Sequence, residues 1–485
     1  MSAELLAQVG GPVAAGGLAV LVLARPRAAR LAGLAGWVVG MALFVPYLAP
    51  SGSAARLAAA ALGGAALALA LGWLFVRRPW TLAFLALAAA PARLPVAVGD
   101  TSANLLVPLY GVVAGAAVAL GWTLVQREPR SRELGPLAWP LALVVLWLGV
   151  SELWTGDVRE ASIVLFFFVL PFSLLALALA RLPWSERALA WLAGLLGAMA
   201  VVFAAIGLWQ WATRDIFWNP KVIVGNAYAP FYRVNSVFWD PSIYGRFRVV
   251  AILAALALLL FRVRPRLDLP LGALIVAAWV GLLPSFSQSS FAALVAGVAV
   301  ATVLAWRWRA AAALGLVAAV MIPVGFVSPQ LDDVREALFG NGSGGLNKAT
   351  SGRSQLIGNG VRIAFDHPLV GVGVGGFKDA YADRLDLRRA PPSAASHNTP
   401  VTVVAELGVV GLALFGWLVV AALAAALRHR AGENTAAKAG IVAGLGLLAI
   451  LVHSLFYNAF FEDPLTWGVL GLAALAAARL REEPS

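Results

Sequence analysis

His397 closes a polar stretch, Ser328 to Asn398, and an apolar run opening with Thr399-Pro400 follows it. An imidazole at such a boundary exchanges a proton near neutral pH, and an apolar wall with arginines nearby favours its neutral, proton-accepting form. Glu406 lies about two and a half helical turns into the following run. The plainer role for a histidine here is hydrogen bonding at a helix N-terminus.

Arginine supplies the second half of the chemistry. Arg233 precedes Asp240, Arg246 and Arg248 enter the next apolar run, and Arg353 opens a segment within the polar stretch. A guanidinium presents a fork that matches phosphate oxygens. Burying one in a membrane span costs several kcal/mol unless it faces a partner or a polar cavity. Such a set therefore suits a diphosphate whose lipid tail stays in the bilayer. Pairing of Arg246 and Arg248 with Asp240 or Glu406, which would merely lock helices, is the competing expectation.

Other motifs carry less. Gly371-Val372-Gly373-Val374-Gly375-Gly376 satisfies the dinucleotide-binding spacing, but no strand–helix–strand pattern surrounds it, so it reads as a turn that lets backbones approach closely. Asp366-His367 finds no further ligands at convincing spacing, and no metal or cofactor is expected. Ser287, Ser289 and Ser290 lack the context of a nucleophile elbow and read as packing or polar-lining serines. No cysteine is present to form a disulfide or a thiolate ligand.

The elements that must position these residues are helices in a membrane. The 485-residue chain is 61% hydrophobic with only 12% charged residues, and apolar runs long enough for a ~30 Å hydrocarbon core recur from end to end. Continuous apolar runs such as 57–76 and 251–261 exclude the alternating strands of a barrel. The expected fold is all-α, a polytopic helical bundle with about 12–15 spans. The expected divisions are 1–211 (N-terminal spans), 212–242 (a first outer loop), 243–327 (spans), 328–398 (a large, partly helical outer loop) and 399–485 (C-terminal spans).

The fourth apolar segment, 80–97, is interrupted by Pro91 and Pro95 and is expected to be weak or re-entrant. The net charge of +12 is spread in small basic groups over every second connection, among them Arg25/Arg27/Arg30, Arg77/Arg78, Arg181/Arg187 and Arg479/Arg481. That is a topology signal, not a nucleic-acid footprint, and it places both long loops outside the cytoplasm. Within the second loop, Leu356, Ile357, Val361, Ala364 and Phe365 share one side of a helix expected at the membrane surface. A glycine-rich turn and a variable tip near Pro391-Pro392 follow.

Several of these residues resemble the bacterial O-antigen ligase and O-antigen polymerase superfamily: Ser351-Gly352-Arg353, Asp366 through Gly373, Phe377, His397-Asn398, Glu406-Leu407-Gly408 and Gly411. His397 and Gly408 reproduce the family spacing, and Arg233 through Ser242 resembles an upstream pattern. The likeness extends over roughly 230–465. It implies a GT-C-like transferase of the bacterial inner membrane that moves a glycan from undecaprenyl diphosphate to an acceptor hydroxyl, lipid A–core or another surface glycan. It implies no metal or nucleotide. His397 then acts on the acceptor, Arg353 and Arg233 hold the diphosphate, and Arg246, Arg248, Asn398, Glu406 and Asp240 are candidate substrate contacts. Ser290 stands where ligases of this family often carry an arginine, a charge that Arg246 or Arg248 could replace. A polymerase on the same carrier is the nearest alternative. A lipid-glycan flippase is another, opposed by the scarcity of charges at mid-span. Oligomeric state is not readable.

Overall fold

The computed structural model describes residues 2–49, 54–98, 101–126, 133–228, 231–262, 265–306, 353–387, 396–428 and 434–482. Within the bilayer a chain must satisfy its own backbone polar groups, and the long apolar runs do so as helices. In order these are α1 (Ala3–Leu23), α2 (Arg27–Leu48), α3 (Ala54–Arg77), α4 (Thr81–Ala89), α5 (Val107–Val125), α6 (Ala138–Ser151), α7 (Val158–Val164), α8 (Leu170–Ala180), α9 (Glu186–Thr213), α10 (Pro220–Tyr228), α11 (Pro241–Leu260), α12 (Asp268–Leu282) and α13 (Gln288–Trp306). Then follow α14 (Arg353–Asp366), α15 (Phe377–Arg384), α16 (Thr399–Leu427), α17 (Thr435–Ser454) and α18 (Pro464–Glu482). A π turn, Leu165–Val169, joins α7 to α8 as one span. Among the described residues twelve helices are long and apolar enough to cross a membrane, so the chain is an all-α polytopic membrane protein. The expected span at 310–327, the flexible stretch at 341–352 and the tip near Pro391-Pro392 lie outside the described residues.

The fourth apolar segment is not a continuous helix. Only the nine residues of α4 are helical, about 14 Å of rise, and Pro91 then turns the chain into an antiparallel hairpin of β1 (Leu94–Val98) and β2 (Thr101–Leu105). The segment nevertheless joins the two ends of the bundle. α3 and α5 run parallel, with Gly111 beside Leu67, Gly115 beside Leu71 and Gly72 beside Val118. The chain must therefore return between them.

Small residues set the closest helix contacts. A Cβ on Gly17 of α1 would meet Trp37 N at 2.4 Å and Gly33 O at 2.6 Å on α2. Such close approach substitutes for a hydrophobic driving force, which is weak between helices in lipid.

Polar contacts define one end of the bundle. Arg27 donates to Val125 O at 2.7 Å, Trp80 to Pro183 O at 2.9 Å, and Arg481 abuts Gly135. At the same end buried Glu133 receives Arg30 at 3.1 Å and Arg181 at 3.2 Å. Basic groups from connections far apart in sequence thus collect on one face, as the charge alternation requires. Because Glu133 is 5% exposed, removing its charge while both guanidiniums remain should cost about 3–5 kcal/mol. Glu133→Gln is expected to lower the thermal unfolding midpoint of the detergent-solubilised protein clearly; an unchanged midpoint would show that the triad does not hold this end.

Candidate active site

The opposite end is organised by a break in α16. Gly408 has φ 66° and ψ −170°, a backbone state essentially reserved for glycine, so the helix stops at Leu407 and restarts at Val409. Groups on both sides of the break find partners outside the helix. Val372 N donates to Ala405 O at 3.0 Å, Gly373 N to Glu406 O at 2.8 Å and the Trp147 indole to Leu407 O at 3.0 Å. In return Val409 N donates to Pro368 O at 2.8 Å and Val410 N to Leu369 O at 3.4 Å. A Cβ at 408 would lie 2.1 Å from Leu369 O, and one at Gly371 2.3 Å from Glu406 C and O. The glycine-rich string is therefore a docking turn, as its surroundings in the sequence implied. It is also tied to α6 and its exit, since Val374 N reaches Ser151 Oγ at 3.2 Å and Thr155 Oγ1 donates to Val374 O at 2.9 Å.

On this turn sit α14 and α15. A small core of Ile363, Phe377, Tyr381 and Ala405, with Leu356 beside it, fastens both to the first half of α16. The expected helix is present, but its packed face differs from the expected one. Leu356, Asn359, Gly360 and Ile363 turn inward, while Val361 and Phe365 are exposed, Phe365 by 78%. The apolar residues thus serve two surfaces, one against α16 and one facing outward. Arg353 begins α14. The half-buried Glu406 carboxylate accepts from the backbone N–H groups of Gly375 and Phe377. It faces the docking turn, not an arginine.

The connection from α9 to α11 is pinned at several points. Gln210 exchanges two hydrogen bonds with Ser236, at 3.0 and 2.7 Å, and Val234 N donates to Pro284 O at 2.9 Å. Arg233 donates through Nε to Ser285 O at 3.0 Å and comes within 3.5 Å of Ser242 Oγ. Asp240 caps α11, accepting from Ser242 N at 2.6 Å with Pro241 in the first turn, the pattern that starts a helix cleanly.

Both arginines of α11 are buried. Arg246 opposes Asp463 at 2.6 Å and lies 6.0 Å from the Tyr457 ring centre. Arg248 points the other way, binding Ala200 O and, at 2.9 Å, the Tyr244 hydroxyl. Pairing with acid therefore holds for Arg246, through Asp463 instead of Asp240 or Glu406. Arg248 is absorbed into the contact of α9, α11 and α12.

His397 takes φ 53°, the left-handed conformation, and turns the chain into α16. Asn398 caps that helix, accepting from Val401 N at 3.0 Å, and its amide donates to Leu455 O at 3.0 Å. Thr399 Oγ1 meets Asn458 Oδ1 at 3.0 Å. The turn after α17 therefore lies directly against the His397 turn. From the same turn Asp463 holds Arg246. Burial pushes the Glu462 carboxyl above its usual range against the pull of Arg93, and raises the Tyr457 phenol as well.

Sequence reasoning passed over His453. It is fully buried at the end of α17, with Nε2 at 3.0 Å from Ser289 Oγ and 3.1 Å from Ser242 O. A histidine in an apolar helix was itself the signal, but only the fold reveals that it faces α11 and α13. Ser287 and Ser290 bond each other at 2.8 Å, and Ser290 packs on Gly245 beside Arg246. The structure thus assembles the His397–Asn398 turn, Arg233, Asp240 and Arg246 around 453–463. Arg248 faces away from that turn, and the Glu406 carboxylate is held by the docking turn.

Residues 273–416 match the family described as O-antigen ligase, and the resemblance carried by Arg353, His397 and Gly408 falls within that segment. No curated protein matches the chain. Because glycine alone suits the break, Gly408→Ala should cost about 1–3 kcal/mol in backbone strain, before the overlap with Leu369 is counted. The expected result is faster hydrogen exchange at Val372 and Gly373 and a lower unfolding midpoint; protection equal to wild type would refute the docking role.

Proposed function

We propose, on the premise that residues 273–416 belong to the O-antigen ligase family, that this chain is a membrane glycosyltransferase acting on a lipid-linked glycan. The donor in this reading is a glycan on undecaprenyl diphosphate, and the acceptor is a hydroxyl of lipid A–core or another surface glycan. The acceptor oxygen attacks the anomeric carbon as its proton passes to His397. The bond from that carbon to the phosphate oxygen breaks, and the diphosphate departs with its electron pair. Arg353 and Arg233 stabilise the growing negative charge, which is the largest electrostatic demand of the step. The protonated histidine then returns its proton to water.

The observation that supports this most is the meeting of the His397 turn and the Arg233 loop on residues 453–463. A base and a phosphate-matching cation on neighbouring supports are what the reaction needs, with Arg246 nearby and balanced by Asp463. Asp240 and Asn398 contribute by starting their helices. The gathering of basic connections at the other end supports an active site on the outer face of a bacterial inner membrane. A polymerase joining repeat units would use the same chemistry and differ only in its acceptor.

The test is reconstitution with undecaprenyl-diphosphate-linked glycan and candidate acceptors, following release of the lipid diphosphate. Folded His397→Ala should release it about 10²–10⁴-fold more slowly, the usual worth of a general base; a wild-type rate would end the assignment. A core-linked product identifies a ligase, and a longer carrier-linked chain identifies a polymerase. Arg353→Ala is expected to weaken use of donor while leaving the unfolding midpoint near wild type. An equal loss of folded protein would assign that arginine to helix pairing instead.

A further inference from the structure

We propose that the turn following α17, anchored by His453, is a clasp that sets the distance between Arg233 and His397, making His453 a positioning residue for the transfer. This rests on the function proposed above. His453 is fully buried, and its Nε2 stands 3.1 Å from Ser242 O, an atom that can only accept, so that nitrogen carries the hydrogen. Ser242 is also the residue whose hydroxyl Arg233 approaches, at 3.5 Å. The second contact of Nε2, 3.0 Å to Ser289 Oγ, ties the same ring to the start of α13, whose preceding turn offers Ser285 O to Arg233 Nε at 3.0 Å. One imidazole therefore touches Ser242, which Arg233 approaches, and Ser289, four residues beyond the Ser285 carbonyl that Arg233 binds.

The residues just beyond it hold the other partner. Leu455 O accepts from the Asn398 amide at 3.0 Å, and Asn458 Oδ1 accepts from Thr399 Oγ1 at 3.0 Å. From His453 to Asn458 the chain is a single short turn, continuous in its backbone hydrogen bonds through Leu455 N to Val452 O and Phe456 N to His453 O. This one segment contacts both the Ser242 region and the His397 turn through side-chain hydrogen bonds. Shifts of about 1 Å in such a distance can cost 10²-fold in rate.

The chain contains no cysteine, so spin labels can be placed singly. Tyr228, at the end of α10 and 88% exposed, reports the Arg233 loop, because Asn226 of that helix bonds Arg233 backbone at 2.9 and 3.0 Å. Val409, 50% exposed, reports α16. The experiment measures the Tyr228→Cys to Val409→Cys label distance in full-length, membrane-reconstituted protein, with kcat and donor KM for diphosphate release, in wild type, His453→Gln, His453→Leu and Asn458→Ala. Glutamine keeps a donor near the Nε2 position without an ionisable ring. The clasp predicts a broadened distance and a kcat lowered by about 100-fold at unchanged KM in His453→Leu. It predicts near-complete rescue in His453→Gln, and an intermediate broadening and slowing in Asn458→Ala.

A narrow distance with wild-type kcat in His453→Leu overturns it. So does a His453→Gln variant as slow as leucine with a narrow distance, which would make His453 a proton carrier. If His453→Leu does not fold, Asn458→Ala decides, and wild-type values in both readouts overturn the clasp. If wild type itself releases no diphosphate, the transferase reading fails, while the label distances still decide the clasp.

Discussion

A helix that stops in mid-course leaves carbonyls and amides without intrahelical partners, and the seating of α14 and α15 on α16 follows from how Gly408 solves that problem. The stop is filled by another stretch of backbone, residues 368–373, hydrogen bonded on both sides of the break. Two segments that approach main chain to main chain leave no room for side chains, which accounts for glycine at 371 and 408 together. The outer layer is consequently registered on the bundle by directional bonds, not merely by apolar contact. Irregular backbone at this depth is tolerated because protein surrounds it.

Much of the fold was legible in the sequence, since run length and charge alternation obey bilayer dimensions whatever the tertiary detail. The helix at 353–366 and the close-approach role of the glycine string were readable locally. What escaped was pairing at long range. Asp463 as the partner of Arg246, and His453 as the neighbour of Ser242, join residues more than two hundred positions apart, and no periodicity encodes that. The fourth segment is interrupted, as its prolines implied, though the hairpin that follows Pro91 was not foreseen. Its apolar composition satisfied the bilayer requirement, but its two prolines forbade the continuous helix that composition alone suggests.

The arginines show why residue type underdetermines role. Arg246 and Arg248 share a helix and are equally buried, at 1% and 0% exposure, yet one meets a carboxylate and the other a carbonyl and a phenol. A guanidinium has five donors, and a single tyrosine and a backbone oxygen anchor Arg248 where a carboxylate was expected. Its proximity to Gly281 shows the same thing sterically, since that glycine has given up its side chain to admit it. By contrast the contact of Arg246 with Asp463 couples α11 to the turn beneath the His397 support.

The outward side of α14 carries Val361 and Phe365, and the chain beyond it adds exposed Leu369 and Val370. Leu369 and its neighbour Pro368 are also the residues bonded to Val410 and Val409 across the helix break. The exposed apolar side of one short helix is thus linked through main-chain bonds to α16, the helix whose first turn follows His397.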